Sequence, residues 1–117
     1  MTIVGVGVDV VDLPRFAASL ERTPTLRSRL FTPDEAALPL ESLAGRFAAK
    51  EALAKAMGAP AGLSWQDFEI VHDDRGAPSF ALHGAAPDRV RALGIETIHV
   101  SISHDVSVAT AFVVAEC

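Results

Sequence analysis

The chain is poor in cysteine, in lysine and in long apolar runs, and each shortage excludes something. Its one cysteine, Cys117, is the last of 117 residues, so there is no internal disulfide framework and the sequence suits a reducing compartment. No scaffold follows that thiol to hold a base against it, and it reads as incidental rather than nucleophilic. Half of the residues are apolar, yet no run approaches the ~18–20 residues of a membrane helix. No basic stretch leads into an apolar one at the start of the chain. The expectation is one domain over residues 1–117, cytoplasmic and without a membrane span. Ten Lys and Arg against fifteen Asp and Glu leave a net charge of −5, which argues against a nucleic-acid binder that works by broad phosphate neutralisation. The four histidines, His72, His83, His99 and His104, lack the short paired spacing of a zinc site.

What is present is unevenly placed. Both lysines, Lys50 and Lys55, fall in one stretch, Gly45–Met57, whose alanine, leucine, lysine and glutamate make helix the safest local assignment. At about 100° per residue, Leu43, Phe47, Leu53, Ala54 and Met57 share a stripe, with Arg46 and Lys50 inside it and Glu51 at its edge. Glu51 and Lys55 are spaced i,i+4. They form either a surface pair of roughly 0.2–0.5 kcal/mol, or a carboxylate for a hard cation beside a lysine for phosphate oxygens. The helix alone leaves both readings open. Elsewhere, Leu13–Phe31 carries Arg15, Arg22, Arg27 and Arg29 against Glu21, a local +3 suited to an acidic protein partner.

Along the chain, Thr2–Val11 alternates as a strand, with Val4, Val6, Val8 and Val10 on one face and Gly5, Gly7, Asp9 and Val11 on the other. The glycines mark close approach of another backbone or a ligand, and that cleared face leads to Asp9. Gly5-x-Gly7 has neither the third glycine nor the preceding strand of a dinucleotide fingerprint. Asp12 before Leu13-Pro14 caps a helix to about Arg22, which leaves Asp9 free of that duty. Thr32-Pro33-Asp34-Glu35 reads as a capping box. Pro39 ends that helix, Ser42 caps the central one, and Gly58 closes it before Ala59-Pro60. Gln66–His72 and Pro78–His83 form a hairpin about Asp73–Gly76, with Trp65 packed beside it. Pro87–Leu93 is a helix stopped by Gly94, and Thr97–Ala115 is a second hairpin. Ser103-His104-Asp105 has the letters of a triad, but neighbours on a strand face opposite ways, so a local triad is excluded.

Three stretches taken together, Gly5-Val6-Gly7-Val8-Asp9, Arg46-Phe47-Ala48-Ala49-Lys50-Glu51-Ala52-Leu53-Ala54-Lys55 and Ser101-Ile102-Ser103-His104-Asp105, resemble the holo-acyl-carrier-protein synthases, the small bacterial 4′-phosphopantetheinyl transferases. The resemblance runs over nearly the whole chain in the same order. It implies an α+β fold with a mainly antiparallel sheet packed on helices. It also implies transfer of phosphopantetheine from coenzyme A to a serine of acyl carrier protein, in the service of fatty acid biosynthesis, with release of 3′,5′-ADP. Asp9 and Glu51 then match the Mg²⁺ ligands, Lys55 the lysine at the phosphates, and Ser103 and His104 the segment near the nucleotide end of coenzyme A. Arg15, with Arg22, matches the carrier-docking surface. Arg46 and Lys50 either contact phosphate or pack. Family members of this length are typically homotrimers with each site between neighbours. This chain has Phe47 where the family often has tryptophan, and a shorter segment between Phe31 and Arg46. A non-catalytic binding module on the same fold is the competing class, and loss of Asp9 or Glu51 would mark it; both are present.

Overall fold

The computed structural model describes residues 1–59 and 61–117; Pro60, read as part of the stop after the central helix, lies outside them. In chain order the elements are strand β1 (Ile3–Asp12), helices α1 (Leu13–Arg22), α2 (Leu26–Leu30), α3 (Pro33–Ala36) and α4 (Leu40–Ala56), a 3-10 turn (Trp65–Asp67), strands β2 (Phe68–His72) and β3 (Pro78–Leu82), helix α5 (Ala86–Ala92), and strands β4 (Thr97–Asp105) and β5 (Val108–Glu116). The long strands make an antiparallel sheet in the order β1-β5-β4, and β2 and β3 pair separately. The architecture is the α+β one expected, with its antiparallel strands in two sheets.

Helix α4 lies on the long sheet, and β1 has the sequence that lets it approach. A Cβ on Gly5 would stand 2.0 Å from the carbonyl oxygen of Ala56, and one on Gly7 1.8 Å from that of Ala52. The cleared strand face therefore receives a helix backbone. Alanines on the other side of the contact, Ala48, Ala49, Ala52 and Ala56 from α4 with Ala109, Ala111 and Ala115 from β5, are fully or almost fully buried. Small residues on both surfaces bring the elements close and build a dense core. The valine face of β1 points the other way: Val6, Val8 and Val10 are 55%, 53% and 64% exposed, and Phe112 next to them on β5 is 48% exposed.

Local signals set most element ends. Asp12 accepts the backbone N–H of Arg15 at 3.0 Å, with Pro14 in the first turn of α1. Thr32 and Glu35 form the reciprocal capping box of α3. Gly76 and Gly94 take the positive φ that their turns require. The central helix begins earlier than expected, the strand expected from Gln66 begins at Phe68 because Gln66 and Asp67 lie in the 3-10 turn, and α2 was not expected. Helix α4 starts at Leu40 with Pro39 as its cap residue and no side-chain cap bond, so Ser42 sits inside the first turn. A proline there sacrifices no helical donor, because the first N–H groups of a helix have no intrahelical acceptor. The five-residue α2 was not legible, since one turn shows no period; the burial of Leu30 holds it.

Candidate active site

Where β1, α1 and α4 meet, Asp9, Glu51, Lys55 and Arg15 line one cleft of about 420 Å³. The strand period turns Asp9 toward α4, and the i,i+4 spacing puts Glu51 and Lys55 on the same side of that helix. Lys55 Nζ donates to Asp9 Oδ1 at 3.1 Å and to the Val8 carbonyl at 2.9 Å, while Thr110 Oγ1 donates to the Asp9 carbonyl at 2.9 Å. Lys55 thus pairs across to β1, and the simple Glu51–Lys55 surface pair is not what forms. Burial, and then the charge of Asp9, hold the Glu51 carboxyl above the usual glutamate range against the pull of Lys55. A carboxyl group that burial and a neighbouring carboxylate hold back from ionising forms, with that neighbour, a place for a positive ion. Among the described residues no three His, Cys, Asp or Glu side chains converge. The donor set therefore suits a small hard cation whose shell is completed by substrate phosphates and water. Phe47 supports the wall by stacking on Phe16, ring centroids 5.3 Å apart, with Trp65 at 6.0 Å on its other flank.

Arg46 and His104 lie elsewhere. They line a second cleft, of about 330 Å³, with Ser42, His72 and Pro78. Arg46 is five residues from Glu51, about 140° around the helix, and His104 is on β4, with β5 between it and β1. His104 Nε2 donates to the Glu41 carbonyl at 3.1 Å; a Cβ on Gly45 would come within 2.8 Å of that nitrogen, so a larger residue there would push the imidazole from its place. An Arg46 N–H donates to Nδ1 of His72 at 3.0 Å. Guanidinium has no acceptor, so this imidazole is neutral with its proton on Nε2, and burial, then Arg46, lower its affinity for a second proton. Ser103 points to the other face of β4, exposed in the same row as Thr110 and Val10.

Lys50, a candidate for phosphate contact, is 0% exposed, and its ammonium bonds inside the core to Glu35 Oε1 at 2.7 Å and to the carbonyls of Leu30 and Trp65 at 2.8 and 3.1 Å. It lines neither cleft. Arg15 is exposed at the rim of the first, and Arg22, a turn or two further along α1, is exposed with its guanidinium near Ser19 Oγ. Sequence reasoning missed His72 and Glu35. His72 gave no signal beyond ending a strand, whereas Glu35 was visible only as a capping residue. His83 and His99 pair with Glu69 and Glu116.

A sheet-backed helix that presents a carboxylate and a lysine one turn apart to a strand-borne aspartate defines a class of enzyme, and residues 5–111 match it: the chain belongs to the 4′-phosphopantetheinyl transferase superfamily. It is 62% identical over 116 residues to the holo-[acyl-carrier-protein] synthase of Micrococcus luteus, an alignment that takes in 97% of this chain and 92% of that one. The fold superposes on the crystal structure of holo-[acyl-carrier-protein] synthase from Neisseria meningitidis with a TM-score of 0.91 at 35% identity, covering 99% of this chain and 100% of the other. It matches the Helicobacter pylori holo-[acyl-carrier-protein] synthase, determined in complex with coenzyme A, with a TM-score of 0.83 at 32% identity, covering 95% and 99%.

Proposed function

We propose that this protein is a magnesium-dependent holo-acyl-carrier-protein synthase, which moves the 4′-phosphopantetheine arm of coenzyme A onto a serine of apo acyl carrier protein and releases 3′,5′-ADP. The observation that carries the reading is the Asp9–Glu51–Lys55 group in a cleft whose rim is the basic helix α1. In the transfer a serine hydroxyl gives up its proton to a base in the cleft as its oxygen attacks the phosphorus next to the pantetheine. The bond to the bridging oxygen of the pyrophosphate breaks, and negative charge gathers on the departing 3′,5′-ADP. Lys55, half exposed and held among the described residues by Asp9 and a backbone carbonyl, is free to turn its ammonium to that charge. A magnesium ion held by Asp9 and Glu51 would offset pyrophosphate charge. Arg15 and Arg22 receive the acidic carrier and bring its serine to the cleft.

The homotrimer is what the resemblance implies, and two further features support sites shared between copies. Arg46 and His104, expected to meet the nucleotide, line a cleft split from the carboxylates by the width of α4 and the sheet, so each copy carries two partial sites, while Ser103 lies on the outer sheet face. The outer face of β1 and β5 gathers the exposed apolar side chains Val6, Val8, Val10 and Phe112, the kind of patch that marks an interaction surface. Cytoplasmic location and a place in fatty acid biosynthesis belong to the same reading. The test is mass spectrometry of apo carrier protein incubated with this protein, coenzyme A and Mg²⁺. A gain of one phosphopantetheine unit on the carrier is expected, and an unchanged carrier mass refutes the assignment.

A further inference from the structure

Most of the circumference of α4 is buried, and its buried residues are mostly alanine. A helix of that kind has no single apolar stripe to set its rotation about its own axis. Rotation matters here, because Glu51 reaches Asp9 only at one setting. The residues on either side of Glu51 supply the setting. Ala52, about 100° to one side, has its carbonyl against the notch of Gly7. Lys50, about 100° to the other, ends in three directed hydrogen bonds: to Leu30 at the end of α2, to Trp65 in the 3-10 turn, and to Glu35 on α3. Glu35, 2% exposed, is itself fixed, since its other oxygen accepts the backbone N–H of Ile70 on β2 at 2.9 Å and Oε1 accepts that of Thr32 at 3.1 Å. The ammonium therefore ties α4 to three neighbouring segments directly, and to β2 through Glu35, by bonds that tolerate little angular error.

We propose that the buried Lys50–Glu35 pair is a positioning device, which locks the rotation of α4 so that Glu51 faces Asp9. Lys50 then acts in transfer through Glu51 and touches neither coenzyme A nor the carrier. A buried ion pair is a poor source of net stability compared with apolar side chains of like size, so directional specificity is the reason to have one here. The inference rests on the phosphopantetheinyl-transfer reading for its kinetic consequence but not for its structural one.

The test is the double substitution Lys50→Met with Glu35→Gln, which removes both charges together and leaves an amide to accept from Ile70. Its crystal structure is expected to show Glu51 turned away from Asp9. Its kcat for transfer should fall about ten- to a hundred-fold, with the KM for the carrier within about two-fold of the parent, because α1 is untouched. Glu51 still facing Asp9, or a parental kcat, overturns the proposal; a raised carrier KM at unchanged kcat does so too, by placing Lys50 in docking. Should the double variant not fold, Glu35→Asp draws the pair back by one methylene and is measured instead. There the same split at about three-fold amplitude is expected, and a parental kcat overturns the inference. If the parent protein transfers nothing, the functional reading falls, while the crystal structure still decides the positioning.

Discussion

Glu51 is held above the usual glutamate range by its burial and by Asp9, so in the metal-free protein the folded state grips that proton more tightly than the unfolded chain does. The stability contributed by this group is complete below the ordinary glutamate range and is lost as pH rises through the elevated folded value. At neutral pH the ionised carboxylate is a burden on the fold. Glu51→Gln should therefore raise the Tm measured in chelator at neutral pH, lose that advantage under acid, and abolish transfer. A lowered Tm at neutral pH would contradict the strain on the carboxylate, and near-normal turnover at limiting Mg²⁺ would sink the metal-ligand reading. Asp9→Asn should also abolish transfer while leaving the fold within about 1 kcal/mol of the parent, because its partner Lys55 is half exposed and such pairs contribute little. Lys55→Ala is expected to lower kcat roughly a hundred-fold with little change in carrier affinity. A change confined to affinity would move Lys55 to the docking surface.

At the scale of elements, two contacts make sharp demands. Helix α4 meets β1 through the backbone at Gly5 and Gly7, and the nearest atoms to an added Cβ are carbonyl oxygens and carbons, which cannot swing aside as a side chain can. Gly7→Ala should thus cost about 3 kcal/mol or more, at the upper end of overpacking losses, read as a lowered urea midpoint. An unchanged midpoint would mean that α4 slides along the sheet freely. Helix α1 makes a different demand. It must draw an acidic partner to a molecule of net charge −5, against general repulsion and within the 8–10 Å over which salt leaves such forces effective, roughly. Arg15→Glu should raise the carrier KM at least ten-fold, to the order expected when a rim charge is reversed, and flatten its dependence on salt. Coenzyme A affinity should respond less. Unchanged carrier kinetics would remove α1 from the interface.

For the whole molecule the open sheet face is decisive. Val6, Val8, Val10 and Phe112 stand exposed in neighbouring rows of β1 and β5, where water contact is unfavourable by about 25 cal/mol for each Å². In the proposed assembly copies join through this face, and each complete site takes its carboxylate cleft and its Arg46–His104 cleft from different copies. Phe112→Asp should then reduce the mass seen by sedimentation equilibrium and weaken coenzyme A binding together, with far-ultraviolet circular dichroism unchanged. A variant of parental mass, or a smaller one that binds coenzyme A as before, contradicts sites shared between subunits.

The sequence by itself determined what neighbours along the chain can decide. Asp12 before Leu13-Pro14, the reciprocal Thr32 and Glu35, the glycines at the turns and the two-residue alternation of β1 all act over a few residues, through backbone dihedrals and hydrogen bonds that need no distant partner. The same local rules place Glu51 and Lys55 on one side of a helix and Asp9 on the cleared face of a strand. Tertiary structure alone decided which of two lysines in one helix is core and which is site: Lys50 goes inward because Glu35, fifteen residues away, meets it there, while Lys55 reaches Asp9 across forty-six. It also decided that β1 turns its glycines inward and its valines out, and that Arg46 and His104 face a different cleft from Glu51. Burial and ion pairing depend on which segments arrive next to one another, and a hydropathy pattern carries no record of that when an alanine-rich helix packs against glycine and meets a carboxylate in the core.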